Sequence, residues 1–141
     1  MPFIIAMKKL FSTSVSDNAL SFALFILRVG SGFLMLTNHG LDKLMNFAQK
    51  SSRFADPFGI GSTTSLSLTI FAEFFCAAFI ILGLFTRLAA IPLVIAMSVA
   101  FFHANKGDYK QGELALLFLV CFLTILIAGP GKASIDRLIN K

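Results

Sequence analysis

Four apolar runs dominate this chain, at residues 19–38, 64–85, 88–102 and 114–128. Few folds can hold such runs. A helix needs about 20 apolar residues to cross a bilayer, with roughly 17 as the practical minimum. The first two runs reach that length outright. The other two reach it only if Arg87, His103, Glu113 and Gly129 are helical and sit at the membrane interfaces. The alternative for them is a pair of buried helices in water, but neither run offers the polar face such a helix would show. The sequence therefore predicts an all-α fold. Four transmembrane helices, over about 19–39, 64–86, 87–104 and 113–129, form one bundle and one membrane domain, residues 1–141.

Composition agrees. The chain is 57% hydrophobic and only 13% charged, against roughly 25% charged for a soluble domain. Its net charge of +5 comes from bases scattered between the apolar runs, with no basic stretch interleaved with aromatics. That pattern excludes nucleic acid as a partner and points to the lipid bilayer and its anionic headgroups. The N-terminal apolar stretch precedes Lys8 and Lys9 instead of following them, and it is short. It is a poor signal peptide, so the first long run is expected to stay as a span.

The breaks between runs are readable. His39-Gly40 is expected to close the first span. Gly59 and Gly61 precede the second. Thr86-Arg87 reads as a tight turn that makes the second and third spans an antiparallel hairpin. Residues 105–108 form a loop, and Gly129-Pro130-Gly131 ends the fourth helix, since Pro cannot continue it. Between spans one and two, Leu41, Leu44, Met45 and Ala48 recur at helical spacing beside Asp42, Lys43, Gln49 and Lys50. This segment is expected to form a short amphipathic helix lying in the headgroup plane. Four spans put both termini on one side. That side carries six bases (Lys8, Lys9, Arg87, Lys132, Arg137, Lys141) and the other five (Lys43, Lys50, Arg53, Lys106, Lys110). The small excess leans toward cytoplasmic termini.

Charges inside spans are the candidates for chemistry. Arg28 falls near the middle of the first span and Glu73 near the middle of the second. Each costs roughly 2.5–3.5 kcal/mol or more at a helix centre unless partnered. Counted from the expected helix ends, the two lie at similar depth, so an Arg28–Glu73 ion pair is expected. It could be a staple that fixes helix neighbours, or the floor of a ligand or proton site. Arg28, Gly32, Met35 and His39 share one helical face. His39, Lys43, His103 and Glu113 should gather at one membrane surface, either as ordinary interfacial residues or as the mouth of a polar pocket above Arg28 and Glu73. His39 and His103 lie at a surface end without a surrounding ligand set, so neither metal nor haem is expected there. Cys76 and Cys121 lie inside apolar runs without CxxC spacing and read as small buried hydrophobes.

Several elements together resemble the DoxX family of small four-helix membrane proteins, from about Phe22 to Leu138. They are the arginine–glycine span LRVGSGFLMLTNHG running into Gly40-Leu41-Asp42-Lys43-Leu44, Glu73 in the second span, and the turn LGLFTRLAA. Glu113 and the element AGPGKASID, with Asp136, complete the set. The resemblance implies a bacterial inner-membrane location and a neighbourhood of membrane redox assemblies, including quinone-linked and thiol-handling ones. On that basis the chain is expected to be an auxiliary subunit of a redox or stress-response assembly, without catalytic activity of its own. An intramembrane pocket would hold a small lipid-soluble ligand such as a quinone, with Arg28 and Glu73 orienting its headgroup and His39, Lys43 and Glu113 at the mouth. The alternative is a structural or chaperone-like module that packs against other membrane proteins, in which the Arg28–Glu73 pair only fixes the fold. A solute or proton pathway would require an oligomer, because four short helices leave little room for a pore.

Overall fold

Ser16 starts the first long helix. Its hydroxyl accepts the N–H of Ala19 at 3.2 Å, and Asp17 sits in the first turn, where negative charge is favoured. The computed structural model describes residues 1–141, which form helices joined by turns and loops, with no strand. We number them α1 (Pro2–Leu10), α2 (Asp17–Met45), α3 (Phe47–Lys50), α4 (Ser62–Leu82), α5 (Thr86–Ala104), α6 (Glu113–Ala128) and α7 (Ile135–Ile139). Helices α2, α4 and α5 are long and apolar enough to cross a membrane, and α6 is a shorter apolar helix.

The expected stop at His39-Gly40 is absent. Residues Leu36–Gly40 form a π turn, closed by Leu41 N–H on the Leu36 carbonyl, and the helix runs on to Met45. The segment expected as a separate amphipathic helix in the headgroup plane is therefore largely the continuation of α2, with only α3 set apart. Gly40 carries no helix-ending conformation; its φ is −66°. A glycine near the end of an apolar run marks a close packing contact as readily as a stop. Two further π turns occur, at Phe71–Cys76 in α4 and Ala100–Ala104 at the end of α5.

The other breaks fall close to where the sequence places them. Helix α4 ends in a Schellman turn, with Gly83 left-handed at φ 68° and Leu84 N–H on the Phe79 carbonyl. The reversal itself is Gly83–Phe85, and Thr86-Arg87 form the first turn of α5. Gly129, at φ 84°, ends α6.

Helices α5 and α6 make the most extensive contact, α2 packs on both α4 and α6, and α4 packs on α5. Small residues on α4 and α5 (Ala72, Cys76, Ala77, Ala89, Ala90) meet large ones from α6 (Phe118, Leu119, Phe122, Ile125), with Met35 of α2 between them. Outside this core the helices remain apolar: Phe22, Phe33, Leu88, Leu117 and Ile127 are all exposed. The accessible surface is 9140 Å², against roughly 7,100 Å² for a compact soluble chain of this mass. Apolar side chains facing outward on every long helix are what a bilayer solvates and water does not.

Candidate functional site

The buried charges form two separate constellations, one toward each end of the long helices. Arg28 is 1% exposed. Its Nη1 donates to the carbonyls of Ile80 (2.9 Å) and Ile81 (2.8 Å), and its Nη2 donates to that of Ala133 (2.5 Å). The first two are carbonyls of the last turn of α4, at the negative end of the helix dipole, that of Ile80 also accepting the Gly83 N–H at 3.1 Å. The third belongs to the segment that folds back after α6. Arg28 thus caps α4 and ties the C-terminal segment to α2. Gly83 makes room for it, since a Cβ there would lie 2.5 Å from Nη1. The Phe25 ring adds a cation–π contact, 5.6 Å from the guanidinium.

Asp136 completes this end. Its carboxylate accepts the N–H groups of Phe85 (2.7 Å) and Thr86 (2.9 Å), while its own N–H donates to the Gly83 carbonyl (2.9 Å). It caps α5 from a distance of some fifty residues along the chain. Partial burial pushes its carboxyl up, but the N–H groups of Thr86 and Phe85 and the charge of Arg28 outweigh this and hold it below the usual carboxylate range.

Glu73 is not the partner of Arg28. Its Oε2 accepts from Lys43 Nζ at 2.6 Å, with the two side chains 7% and 17% exposed. The expected Arg28–Glu73 pair fails because α2 does not stop at Gly40. Ending the helix there sets Asn38 level with Thr64. In the structure Gly40 lies on the Glu73 backbone and Gly32 on Ala77, Ile80 and Ile81. That is a slip of about 16 Å at 1.5 Å per residue. It brings Arg28 to the end of α4 and Lys43 to Glu73.

The Lys43–Glu73 pair lies where the π turns of α2 and α4 face each other. Such turns are frequent at functional sites. His39 stands one residue before Gly40, half-buried, with its ring edge-on to Phe118 at 5.7 Å. His39, Lys43 and Glu73 are therefore brought together. His103 and Glu113 do not join them: both are exposed, and His103 meets Phe58, 6.0 Å away. Arg28 lies with Asp136 instead. Cys76 and Cys121 are free thiols. Nearer the surface, Asp42 pairs with Lys50 and also accepts from Asn46.

A recess of about 550 Å³ opens at the Arg28 end, bordered by Arg87, Arg137, Lys141, Asp136, Phe85 and Leu88. Spacing along the sequence does not reveal it. Its residues come from the α4–α5 turn and from α7, and only the fold-back after Gly129 joins them. The quoted Thr-Arg turn and Asp136 were the available signal.

The family profile of DoxX matches residues 23–106, more than half of the chain. The chain belongs to the DoxX family. The DoxX match includes Arg28, His39, Lys43, Glu73, Arg87 and His103, and it stops short of Glu113 and Asp136. An uncharacterized protein of Haemophilus influenzae is 34% identical over 104 residues, 67% of each chain. A second protein of that organism is 41% identical over 66 residues, about half of its own length. An uncharacterized membrane protein of Mycobacterium tuberculosis is 29% identical over 124 residues, 77% of this chain and 76% of the relative. No solved structure matches. With its apolar outer surface, this DoxX chain is a membrane protein.

Proposed function

We propose that this DoxX chain is a bacterial inner-membrane protein with four spans and cytoplasmic termini. It acts as a non-catalytic module that packs against other membrane proteins, among them those of redox or stress-response assemblies. One observation carries the reading: the buried charges bond chiefly within the fold, although Arg28 Nε has no partner. Arg28 is engaged by three backbone carbonyls, and Glu73 by Lys43. What remains available is the apolar outer face, which suits lateral contact within the bilayer. Helix α6 has 16 residues, or about 24 Å. Packing against α2 and α5 supports it as the fourth span.

A second reading places a small lipid-soluble ligand, such as a quinone, at His39, Lys43 and Glu73. The facing π turns favour it, because a carbonyl-bearing headgroup could exchange with the Lys43–Glu73 hydrogen bond. Purification in mild detergent, followed by mass spectrometry of an organic extract, separates the two. The module reading expects bulk phospholipid alone, and photo-crosslinkers at Leu117 or Val120 capturing a membrane protein. A stoichiometric quinone that disappears in Glu73→Gln would replace it with the ligand reading.

A further inference from the structure

We propose that the recess at the Arg28 end is a binding site for the phosphate headgroup of an anionic phospholipid, held by Arg87, Arg137 and Lys141. Three observations meet there.

The first is charge. None of the three cations has a carboxylate within ion-pair distance; the ion pairs of this chain are Lys43–Glu73 and Lys50–Asp42. Arg87 donates one N–H to the Ile127 carbonyl at 3.3 Å, which fixes it over Gly129 and leaves its remaining donors free. The one acidic side chain at the recess, Asp136, is already occupied by the N–H groups of Phe85 and Thr86. The recess is therefore an open basin of net positive charge with unused donors. Arginine forks match phosphate oxygens in bidentate fashion.

The second is depth. The recess lies where α4 ends, α5 begins and the chain turns after α6. Apolar helices end at the headgroup layer, so the cations stand at the level of lipid phosphates. The third is the apolar border. Phe85 and Leu88 are 57% and 67% exposed beside the cations. A ligand with an anionic head and acyl chains satisfies both halves of this surface. A zwitterionic headgroup brings an ammonium that the three cations repel. Phosphatidylglycerol or cardiolipin fits better than phosphatidylcholine, and basic pockets between membrane helices are suited to such lipids.

The test is native mass spectrometry of the full chain in detergent, with phosphatidylglycerol and phosphatidylcholine of identical acyl chains offered in competition and inorganic phosphate as a third arm. The expected result is at least about a tenfold preference for phosphatidylglycerol, weakening with added salt. The triple variant R87Q/R137Q/K141Q should lose that preference. R137Q/K141Q, which keeps the Arg87 bond to Ile127, should reduce it even if the triple variant does not fold. Equal retention of both lipids by the wild type, or an undiminished preference in the double variant, overturns the proposal. Inorganic phosphate displacing phosphatidylglycerol at equal concentration would mean that the site takes a soluble phosphate and not a lipid.

Discussion

Gly40 lies against the backbone of Glu73 so closely that a Cβ would stand 2.6 Å from the Glu73 carbonyl carbon and 2.7 Å from the Phe74 nitrogen. Backbone cannot move aside as a side-chain tip can. Gly40→Ala should therefore push α2 off α4 and cost about 1–3 kcal/mol, the usual range for overpacking a tight contact. Gly32→Ala meets mainly the Ile81 side chain at 2.8 Å and should cost less. Thermal unfolding of both variants in one detergent checks the order. A Gly40→Ala protein as stable as the wild type would contradict the contact.

Glu73 is buried and Lys43 largely so, and removing one partner leaves an uncompensated charge. Lys43→Gln and Glu73→Gln should each cost roughly 3 kcal/mol, the low end for breaking a buried pair. The double variant should cost less than the sum of the two. A double-mutant cycle reads this coupling directly, at about 0.5–3 kcal/mol for groups in contact. Additive losses would mean that the two side chains do not act as a pair.

Arg28 serves three carbonyls on two segments, which a single ammonium cannot reproduce. Arg28→Lys and Arg28→Gln should both lose hydrogen bonds worth about 1.5–3 kcal/mol each for a charged donor. The loss should be local as well as global. Amide hydrogen exchange should speed up at the α4–α5 turn and in α7 before it does at the α5–α6 contact. Uniform acceleration would show that Arg28 is not a tie between segments.

Asp136 and Asp56 give the chain an acid limit. Asp56 accepts the N–H groups of Gly61 (2.8 Å) and Ile60 (2.9 Å) and the Ser65 hydroxyl, and the Gly61 N–H foremost holds its carboxyl below the usual range. Both folded-state values lie below the ordinary 3.8. Their stabilisation is therefore fully present above that value and is lost as pH falls through the depressed folded values. The contribution of these two carboxylates to the unfolding midpoint should be flat above about pH 5 and drop below about pH 4. Asp136→Asn and Asp56→Asn should each show a shallower drop than the wild type.

Much of the architecture is legible in the residues, because apolar run length and glycine punctuation report directly on helices and their ends. Gly129 and the loop at 105–108 fall where turns are expected, and the turn expected at Thr86-Arg87 lies a few residues earlier, at Gly83–Phe85. The helix register is not legible. It depends on whether Gly40 ends α2 or packs inside it, and the two uses of glycine look alike in a sequence. That ambiguity exchanged the partners of Arg28 and Glu73. The burial of Arg28 was readable from its place in an apolar run, but its acceptors are carbonyls, which carry no sequence signature. Lys43 and His39 were identified as polar residues near the site, and the register then decided which charge they meet. The basic recess needed the fold-back after Gly129 and could not be inferred from spacing.

The three bonds of Arg28 also set an order of events during synthesis. Arg28 leaves the ribosome 52 residues ahead of Ile80 and 105 ahead of Ala133. Until then its guanidinium has neither of its buried acceptor groups and is best solvated among lipid headgroups. The α4 carbonyls arrive first, and the Ala133 carbonyl only after the last apolar helix has been synthesised. The bond to Ala133 therefore forms only in a chain that already includes α6, so that closure at Arg28 is a late event in assembly.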